Sequence, residues 1–153
     1  MKYKIGDKAP LFSGVDQNGN LFNSDKLLGS KNIVVYFYPK NETKVCTAQA
    51  CSFRDSYEEF KDFDCEVIGI SGDGEKSHSS FATNHNLPYI LLSDKNKAHR
   101  KAFDVPKALL GLLPGRYTFV INKEGEFIEI FHDMSRAQIH IDKAIIALKA
   151  TQK

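Results

Sequence analysis

The chain contains the uninterrupted apolar run Ile33-Val34-Val35-Tyr36-Phe37-Tyr38, which ends at Pro39. Six apolar residues without polar alternation are typical of a strand that is buried on both faces of a sheet. The polar loop Lys40-Asn41-Glu42-Thr43-Lys44-Val45 follows, and Cys46 then stands where a helix is expected to begin. A buried strand that passes through a loop into a helix indicates an α/β domain.

Apolar periodicity and turn residues predict the other elements on either side of this segment. The N-terminal part predicts a hairpin (Leu11 to Asp16, a turn at Asn18-Gly19, then Leu21-Phe22) and a helical turn at 26–28 capped by Ser24. The middle of the chain then predicts a helix over 47–62, a strand at 67–71, a helix over 76–86, a strand at 89–92, a helix over 95–103 and a loop containing Pro106, Gly111 and Pro114-Gly115. The last part predicts strands at 117–121 and 127–131 joined by a turn at 122–125, and a helix over 136–149 that presents Ile141, Ile145 and Leu148 to the core. This order predicts an α/β fold with a mixed central sheet flanked by helices and an N-terminal β-hairpin extension, which amounts to a thioredoxin-like core.

The bulk composition excludes several classes of protein. At 153 residues the chain has the length of one domain, so we expect a single domain over 1–153. A net charge of +2 gives no electrostatic reason to expect nucleic acid or a membrane as a partner. The start lacks the apolar segment of a secretory signal, and the longest apolar run is six residues, against roughly 20 for a membrane span. We therefore expect a cytoplasmic protein, or an organellar one if a transit peptide has been removed.

The cysteines indicate redox chemistry more than structural stapling. There are three, an odd number, which argues against a disulfide framework and favours working thiols in a reducing compartment. Cys46 is placed at a helix N-terminus, where unpaired backbone N–H groups and the helix dipole favour the thiolate, the nucleophilic form of cysteine. Arg116, at the start of the 117–121 strand, is the candidate for a cation beside it.

Two further residues suit the same chemistry. Thr43 lies three residues before Cys46, and its hydroxyl can both donate and accept a hydrogen bond. Pro39 has a fixed φ and would stiffen the loop that shields the thiolate. A thiolate, a hydroxyl and a guanidinium together suit attack on a polar O–O bond, which would leave a sulfenic acid on the cysteine. Taken singly, each of these residues has an ordinary alternative as a buried thiol, a turn residue, a loop residue or a surface charge.

The motif Pro39-x-x-x-Thr43-x-x-Cys46 resembles the active-site motif of the peroxiredoxins, thiol peroxidases of thioredoxin-like fold. The continuation Thr47-Ala48-Gln49-Ala50-Cys51-Ser52-Phe53-Arg54-Asp55 is similar to that of the bacterioferritin comigratory protein or peroxiredoxin Q subfamily. The likeness extends to both sides of the motif. It includes Gly6-Asp7-Lys8-Ala9-Pro10, the segment from Leu87-Pro88 to Leu91-Leu92-Ser93-Asp94, and Leu113-Pro114-Gly115-Arg116-Tyr117-Thr118-Phe119-Val120-Ile121.

This resemblance implies a role for each candidate residue. Cys46 would be the peroxidatic cysteine, Thr43 and Arg116 would orient the peroxide, and Cys51 would resolve the sulfenic acid as an intramolecular disulfide. Thioredoxin, or alternatively a glutaredoxin, would reduce that disulfide, with no metal, haem or flavin cofactor. A resolving cysteine in the same chain removes the need for a dimer, so we expect a monomer.

Two positions depart from the usual pattern of that subfamily. Lys44-Val45 stands where Pro-Gly is common, and Gln49 stands where Glu is common. We expect these departures to alter the efficiency of the reaction without abolishing it.

The spacing of Cys46 and Cys51 predicts a conformational change. On one regular helix, five residues correspond to a rise of about 7.5 Å and an angular offset of about 140°, which places the two Cα atoms about 8.6 Å apart. A disulfide requires Cα atoms within about 7 Å of each other. The first turns of the helix must therefore unwind before the two sulfurs can bond.

Other interpretations remain open at this stage. A redox sensor or relay that passes the oxidation of Cys46 to a partner protein would use the same site, whereas a thiol-independent holdase would not require the Thr43, Cys46 and Arg116 set. The absence of C-x-x-C and of paired histidines disfavours zinc. The five histidines are expected at the surface or as caps, namely His78, His85, His99, His132 and His140. Cys65 is expected to be a partly buried, inert thiol, and a role as an alternative resolving cysteine is less favoured.

Overall fold

The protein, described here by a computed structural model for residues 1–108 and 113–152, contains nine strands and five α-helices within those ranges. They are β1 (Ser13–Val15), β2 (Leu21–Asn23), β3 (Asn32–Phe37), α1 (Lys44–Asp55), α2 (Tyr57–Asp62), β4 (Cys65–Ser71), α3 (Glu75–His85), β5 (Ile90–Ser93), α4 (Ala98–Ala102), β6 (Lys107–Ala108), β7 (Leu113–Pro114), β8 (Tyr117–Ile121), β9 (Phe127–His132) and α5 (Ala137–Thr151), with a short 3-10 helix at Ser24–Leu27. No helix in the described ranges is long and apolar enough to cross a membrane.

The central sheet has the strand order β5-β4-β3-β8-β9. Strands β3, β4 and β5 are parallel, whereas β8 is antiparallel to β3 and β9 is antiparallel to β8. The hairpin β1–β2 forms a separate two-stranded sheet before the core. The predicted α/β fold with a mixed sheet and an N-terminal hairpin is therefore confirmed.

Strand β3 is buried along its whole length because both faces of the sheet are covered. Its alternate side chains enter two different apolar clusters, Val34 and Tyr36 on one face and Val35 and Phe37 on the other. Further members of the first cluster come from α1, α2, α3 and α5 and include Phe53, Phe60, Phe81, Ile141 and Leu148. The second is aromatic-rich and includes Phe12, Phe103, Phe119 and Phe127. The predicted core positions Ile141 and Leu148 are confirmed, while Ile145 packs at the edge of the first cluster.

Three local predictions are wrong. The cap of the helical turn is Asn23, whose side chain accepts a hydrogen bond from the Asp25 backbone N–H at 3.0 Å, and Ser24 is the first residue of that turn. The helix expected over 47–62 is two helices, because Ser56 has φ −101° and ψ 7° and interrupts the helix between α1 and α2. The apolar periodicity continues across Ser56, so the pattern alone does not show the break. The segment expected as a loop around Pro106 and Pro114-Gly115 contains the short antiparallel pair β6–β7, and the Gly111 expected in that loop lies outside the described residues.

The direction of β8 places the site. Because β8 is antiparallel to β3, its first residue Tyr117 pairs with Phe37, the last residue of β3. The chain leaves β3 at that same end to form the loop that leads into α1. Residues just before Tyr117 and residues at the start of α1 are therefore neighbours, although they are far apart in sequence.

Candidate active site

Cys46 is the third residue of α1 and lies at the end of the sheet where β3 stops. Thr43 is the N-cap residue, with an extended backbone (φ −84°, ψ 157°) and no capping hydrogen bond from its side chain. The first helical backbone bond runs from Thr47 N–H to the Thr43 carbonyl, so the backbone N–H groups before Thr47 have no partner within the helix. The Cys46 sulfur therefore lies at the positive end of the helix dipole, and the residue is only 1% exposed.

The guanidinium of Arg116 contacts Cys46 directly. Its Nη2 donates to the Cys46 sulfur at 3.3 Å, across 70 residues of sequence. Its Nη1 donates to Oε1 of Gln49 at 2.7 Å, and its Nε donates to the carbonyl of Met134 at 3.1 Å. Arg116 is 3% exposed, so the cation is held in a buried position by three directed hydrogen bonds.

The other expected site residues lie in the loop before α1 and on α1 itself. The Thr43 hydroxyl donates to the Lys40 carbonyl at 2.7 Å and is exposed; none of the hydrogen bonds found in the described ranges joins it to Cys46. Pro39 is half-buried and opens the loop. Cys51 is half-buried on α1, the same helix as Cys46, and both are free thiols. The helix that was predicted to separate them is therefore intact here.

A buried polar network holds the loop before Cys46. The Asn41 backbone N–H donates to Asp73 at 2.8 Å, and its Oδ1 accepts from the Tyr38 hydroxyl at 2.6 Å. Its Nδ2 lies 3.0 Å from Nδ1 of His78, whose Nε2 lies 3.0 Å from the Leu92 carbonyl. A carbonyl only accepts, so Nε2 carries the proton and Nδ1 accepts from Asn41. The imidazole is therefore neutral, in keeping with burial, which lowers the pKa of His78.

Arg100 links the two segments that form the site. Its guanidinium donates to the Tyr38 carbonyl at 3.2 Å, just before Pro39, and to the Gly115 carbonyl at 3.3 Å, just before Arg116. Sequence reasoning missed Arg100, and it missed Asn41 as an anchor of the loop. Nothing local distinguishes either residue from a surface side chain, because their partners come from distant segments. The sequence does indicate Gln49, because a residue three positions after Cys46 lies on the same face of the helix.

The expectation that all five histidines lie at the surface or cap helices is wrong for two of them. His78 and His140 are buried with both ring nitrogens hydrogen-bonded. In His140, Nε2 donates to the Asp133 carbonyl at 2.8 Å, and Nδ1 lies 2.7 Å from the Thr118 hydroxyl. Burial lowers the pKa of His140 to about 4, and the nearby charge of Arg116 acts in the same direction.

Cys65 lies far from Cys46. It pairs with Asn32 at the start of β3, whereas Cys46 follows the end of that strand. The six residues of β3 span about 16 Å from one end to the other. Cys65 is fully buried, not partly as expected, and burial raises the pKa of its thiol. In the part of the chain that the structure describes, no group of three histidine, cysteine, aspartate or glutamate residues could hold a metal ion.

Comparison with known proteins identifies the family. Residues 5–130 match the model of the AhpC/TSA family. The chain belongs to the AhpC/TSA family. Within it, the chain is 48% identical over 149 residues to the chloroplastic peroxiredoxin Q of Arabidopsis thaliana, covering 97% of this chain and 68% of that protein. The chloroplastic peroxiredoxin Q of Populus jackii is 45% identical over 149 residues, covering 97% and 70%.

Solved structures of AhpC/TSA relatives agree with the fold. Peroxidoxin BcpB of Mycobacterium tuberculosis superposes with a TM-score of 0.89 at 34% identity, covering 98% of this chain and 99% of that one. The bacterioferritin comigratory protein of Xanthomonas campestris, studied for alkyl peroxide reduction, superposes with a TM-score of 0.84 at 27% identity, covering 96% and 100%. These likenesses confirm the predicted thioredoxin-like fold and the resemblance to peroxiredoxin Q. The protein is a peroxidase of this family.

Proposed function

We propose that this peroxiredoxin reduces hydrogen peroxide and organic hydroperoxides through Cys46. The observation that supports this assignment best is the buried contact of 3.3 Å between the Cys46 sulfur and the Arg116 guanidinium. A cation at that distance, together with the helix N-terminus, stabilises the thiolate. Organic hydroperoxides are included because the Xanthomonas relative is described for alkyl peroxide reduction.

In the first step the Cys46 thiolate attacks one peroxide oxygen. An S–O bond forms as the O–O bond breaks, and the leaving alkoxide or hydroxide takes up a proton to give alcohol or water. Arg116 keeps its positive charge beside the reacting atoms and stabilises the negative charge that moves onto the leaving oxygen. The Thr43 hydroxyl donates to the Lys40 carbonyl, which leaves its oxygen free to accept the hydrogen of the hydroperoxide. The ring of Pro39 limits the access of water from the loop side.

In the second step Cys51 attacks the Cys46 sulfenic acid. An S–S bond forms, and the sulfenic oxygen leaves as water with the proton of the Cys51 thiol. Both cysteines belong to α1, so on regular helix geometry their Cα atoms are about 8.6 Å apart and the helix must open first. A dithiol protein, thioredoxin or alternatively a glutaredoxin, then restores both thiols by exchange.

The decisive test is peroxide consumption coupled to thioredoxin. The wild-type protein and a Cys65→Ser control should consume peroxide repeatedly, because Cys65 is buried in β4 beside the start of β3, at the end opposite Cys46. Cys46→Ser should be inactive. Cys51→Ser should consume one equivalent of peroxide and then stop with thioredoxin as reductant. A Cys46→Ser variant as active as the wild type would refute the assignment.

The same assay separates the enzyme from the relay hypothesis. Repeated turnover with thioredoxin supports the enzyme, whereas stoichiometric trapping of one client protein as a mixed disulfide would support a relay. The family membership favours the enzyme.

Domain organisation, oligomeric state and location belong to the same proposal. We propose one domain over 1–153, supported by a single central sheet whose two faces carry the two apolar clusters. A resolving cysteine in the same helix supports a monomer, which light scattering of the reduced and oxidised protein tests. The quoted plant relatives are chloroplastic, which supports the organellar alternative over the cytoplasm.

A further inference from the structure

Gln49 is fully buried and only half satisfied. Its Oε1 accepts from Arg116 Nη1 at 2.7 Å, and since a guanidinium offers only donors, the amide cannot be oriented the other way. Nε2 of Gln49 is consequently left as a buried side-chain donor with no hydrogen-bond partner among the described residues. An unpaired buried donor destabilises a protein, so the position is not optimised for stability.

The charge of Arg116 is not neutralised by a carboxylate. In residues 1–108 and 113–152 no aspartate or glutamate oxygen lies within 4 Å of its guanidinium, and the four residues between these ranges are leucines and a glycine. The partners of the cation are two neutral carbonyl oxygens, from Gln49 and Met134, and the sulfur of Cys46.

The titratable groups packed around this pair are either neutral or paired with another charge. Tyr36 and Tyr38 face Cys46 from β3 and its end, and burial raises the pKa of both phenols far above the ordinary value. His140 faces Arg116 from α5 as a neutral imidazole. The Asp133 carboxylate, in the loop before α5, is engaged by Arg136 at 2.7 Å. When Cys46 is ionised, its sulfur is therefore the negative charge that Arg116 meets at close range.

We propose that Gln49 is a positioning residue that aims the Arg116 guanidinium at Cys46 while leaving its charge available to the thiolate. This rests on the proposed role of Cys46 as the nucleophile. A carboxylate in place of the amide would accept the same hydrogen bond but would compete with the thiolate for the cation. At a few ångströms in a buried site, one added charge lowers the ratio of thiolate to thiol by about tenfold or more.

The test is the pH dependence of alkylation of Cys46 by iodoacetamide in a Cys51→Ser background, from pH 4 to 9. Gln49→Glu should move the midpoint of this profile upward by about one pH unit or more. Gln49→Met keeps the volume but removes the acceptor that aims the guanidinium, so it should lower kcat/KM for peroxide about tenfold and raise the midpoint by less than Gln49→Glu does. Gln152→Glu is the matched control, because it adds the same charge at the exposed C-terminal end of α5 and should change neither quantity.

Two results would overturn the proposal. One is a Gln49→Glu profile that superimposes on the wild type, and the other is a Gln49→Met profile that moves as far as that of Gln49→Glu. If Gln49→Glu does not fold, as judged by circular dichroism, a double-mutant cycle between Gln49 and Arg116 decides. Gln49→Met in an Arg116→Met background should change kcat/KM by less than about twofold, and the full tenfold loss there would overturn the proposal. Alkylation needs no peroxide, so an inactive wild type would refute the peroxidase assignment while the midpoints still test Gln49.

Discussion

The hydroxyl of Tyr89 donates a 2.9 Å hydrogen bond to the carbonyl of Ala50, which lies between Cys46 and Cys51 on α1. Tyr89 is buried just before β5, and its hydroxyl is also 2.7 Å from that of Tyr36 in β3. The helix segment that must open for a disulfide is therefore attached at its middle to the core of the sheet. We therefore expect closure of a Cys46–Cys51 disulfide to require release of this contact.

Amide hydrogen exchange should report the opening of α1. We expect residues 46–53 to lose protection in the oxidised protein, because the two sulfurs cannot bond across an intact helix. Exchange in α2, Tyr57–Asp62, should stay the same in both states and serves as the internal control. Equal protection of 46–53 in reduced and oxidised protein would contradict the prediction.

Tyr89→Phe should speed disulfide closure. The substitution removes the bond to the Ala50 carbonyl, a loss of about 1 kcal/mol that corresponds to about fivefold in the opening equilibrium. Rapid-quench mass spectrometry after one equivalent of peroxide measures the rate of closure separately from formation of the sulfenic acid. Tyr57→Phe is the matched control, because its hydroxyl donates to Glu66 and not to α1. Unchanged closure in Tyr89→Phe would show that the contact does not restrain the helix.

Asn41→Ala should weaken both the fold and the reaction. It removes the partner of the Tyr38 hydroxyl at 2.6 Å and the partner of Nδ1 of His78 at 3.0 Å, which leaves these two groups only their longer mutual contact of 3.5 Å. We expect the free energy of unfolding to fall by about 2–4 kcal/mol. The rate with peroxide should fall as well, because the loop leads into Cys46. Asn84→Ala, which removes only an exposed bond to Glu42 in the same loop, should cost less than about 1 kcal/mol in urea unfolding. Similar losses for the two variants would argue against the buried network as the anchor.

His140 should make stability depend on pH. Its pKa is about 4 in the folded protein and about 6.5 in the unfolded chain, so between these values the unfolded state binds more protons. The free energy of unfolding therefore falls as the pH drops from about 6.5 to 4, by about 3 kcal/mol from this group. His140→Gln should lack that part of the dependence. His78 titrates in the same direction but is present in both proteins, so the difference between the two urea-denaturation curves isolates His140. Parallel curves would contradict the prediction.

Local patterns were sufficient for most of the elements and for the position of Cys46 at the start of a helix. The six apolar residues before Pro39 predicted a strand buried on both faces, and β3 is that strand. Boundaries were less accurate where packing overrides periodicity, as at Ser56, where Phe53 and Phe60 keep their spacing across a break between two helices. The buried His78 could not be foreseen, because a histidine enters a core only when distant groups satisfy both ring nitrogens.

The amino-acid sequence alone determined that Cys46 follows a buried strand, and that Cys51 shares its helix at a separation too large for a disulfide. Both statements depend on neighbours along the chain, whose geometry in a strand or helix is constant. Only the tertiary structure decided that Arg116 contacts both Cys46 and Gln49. These contacts exist because β8 runs antiparallel to β3, and the order and direction of strands depend on how the whole core packs.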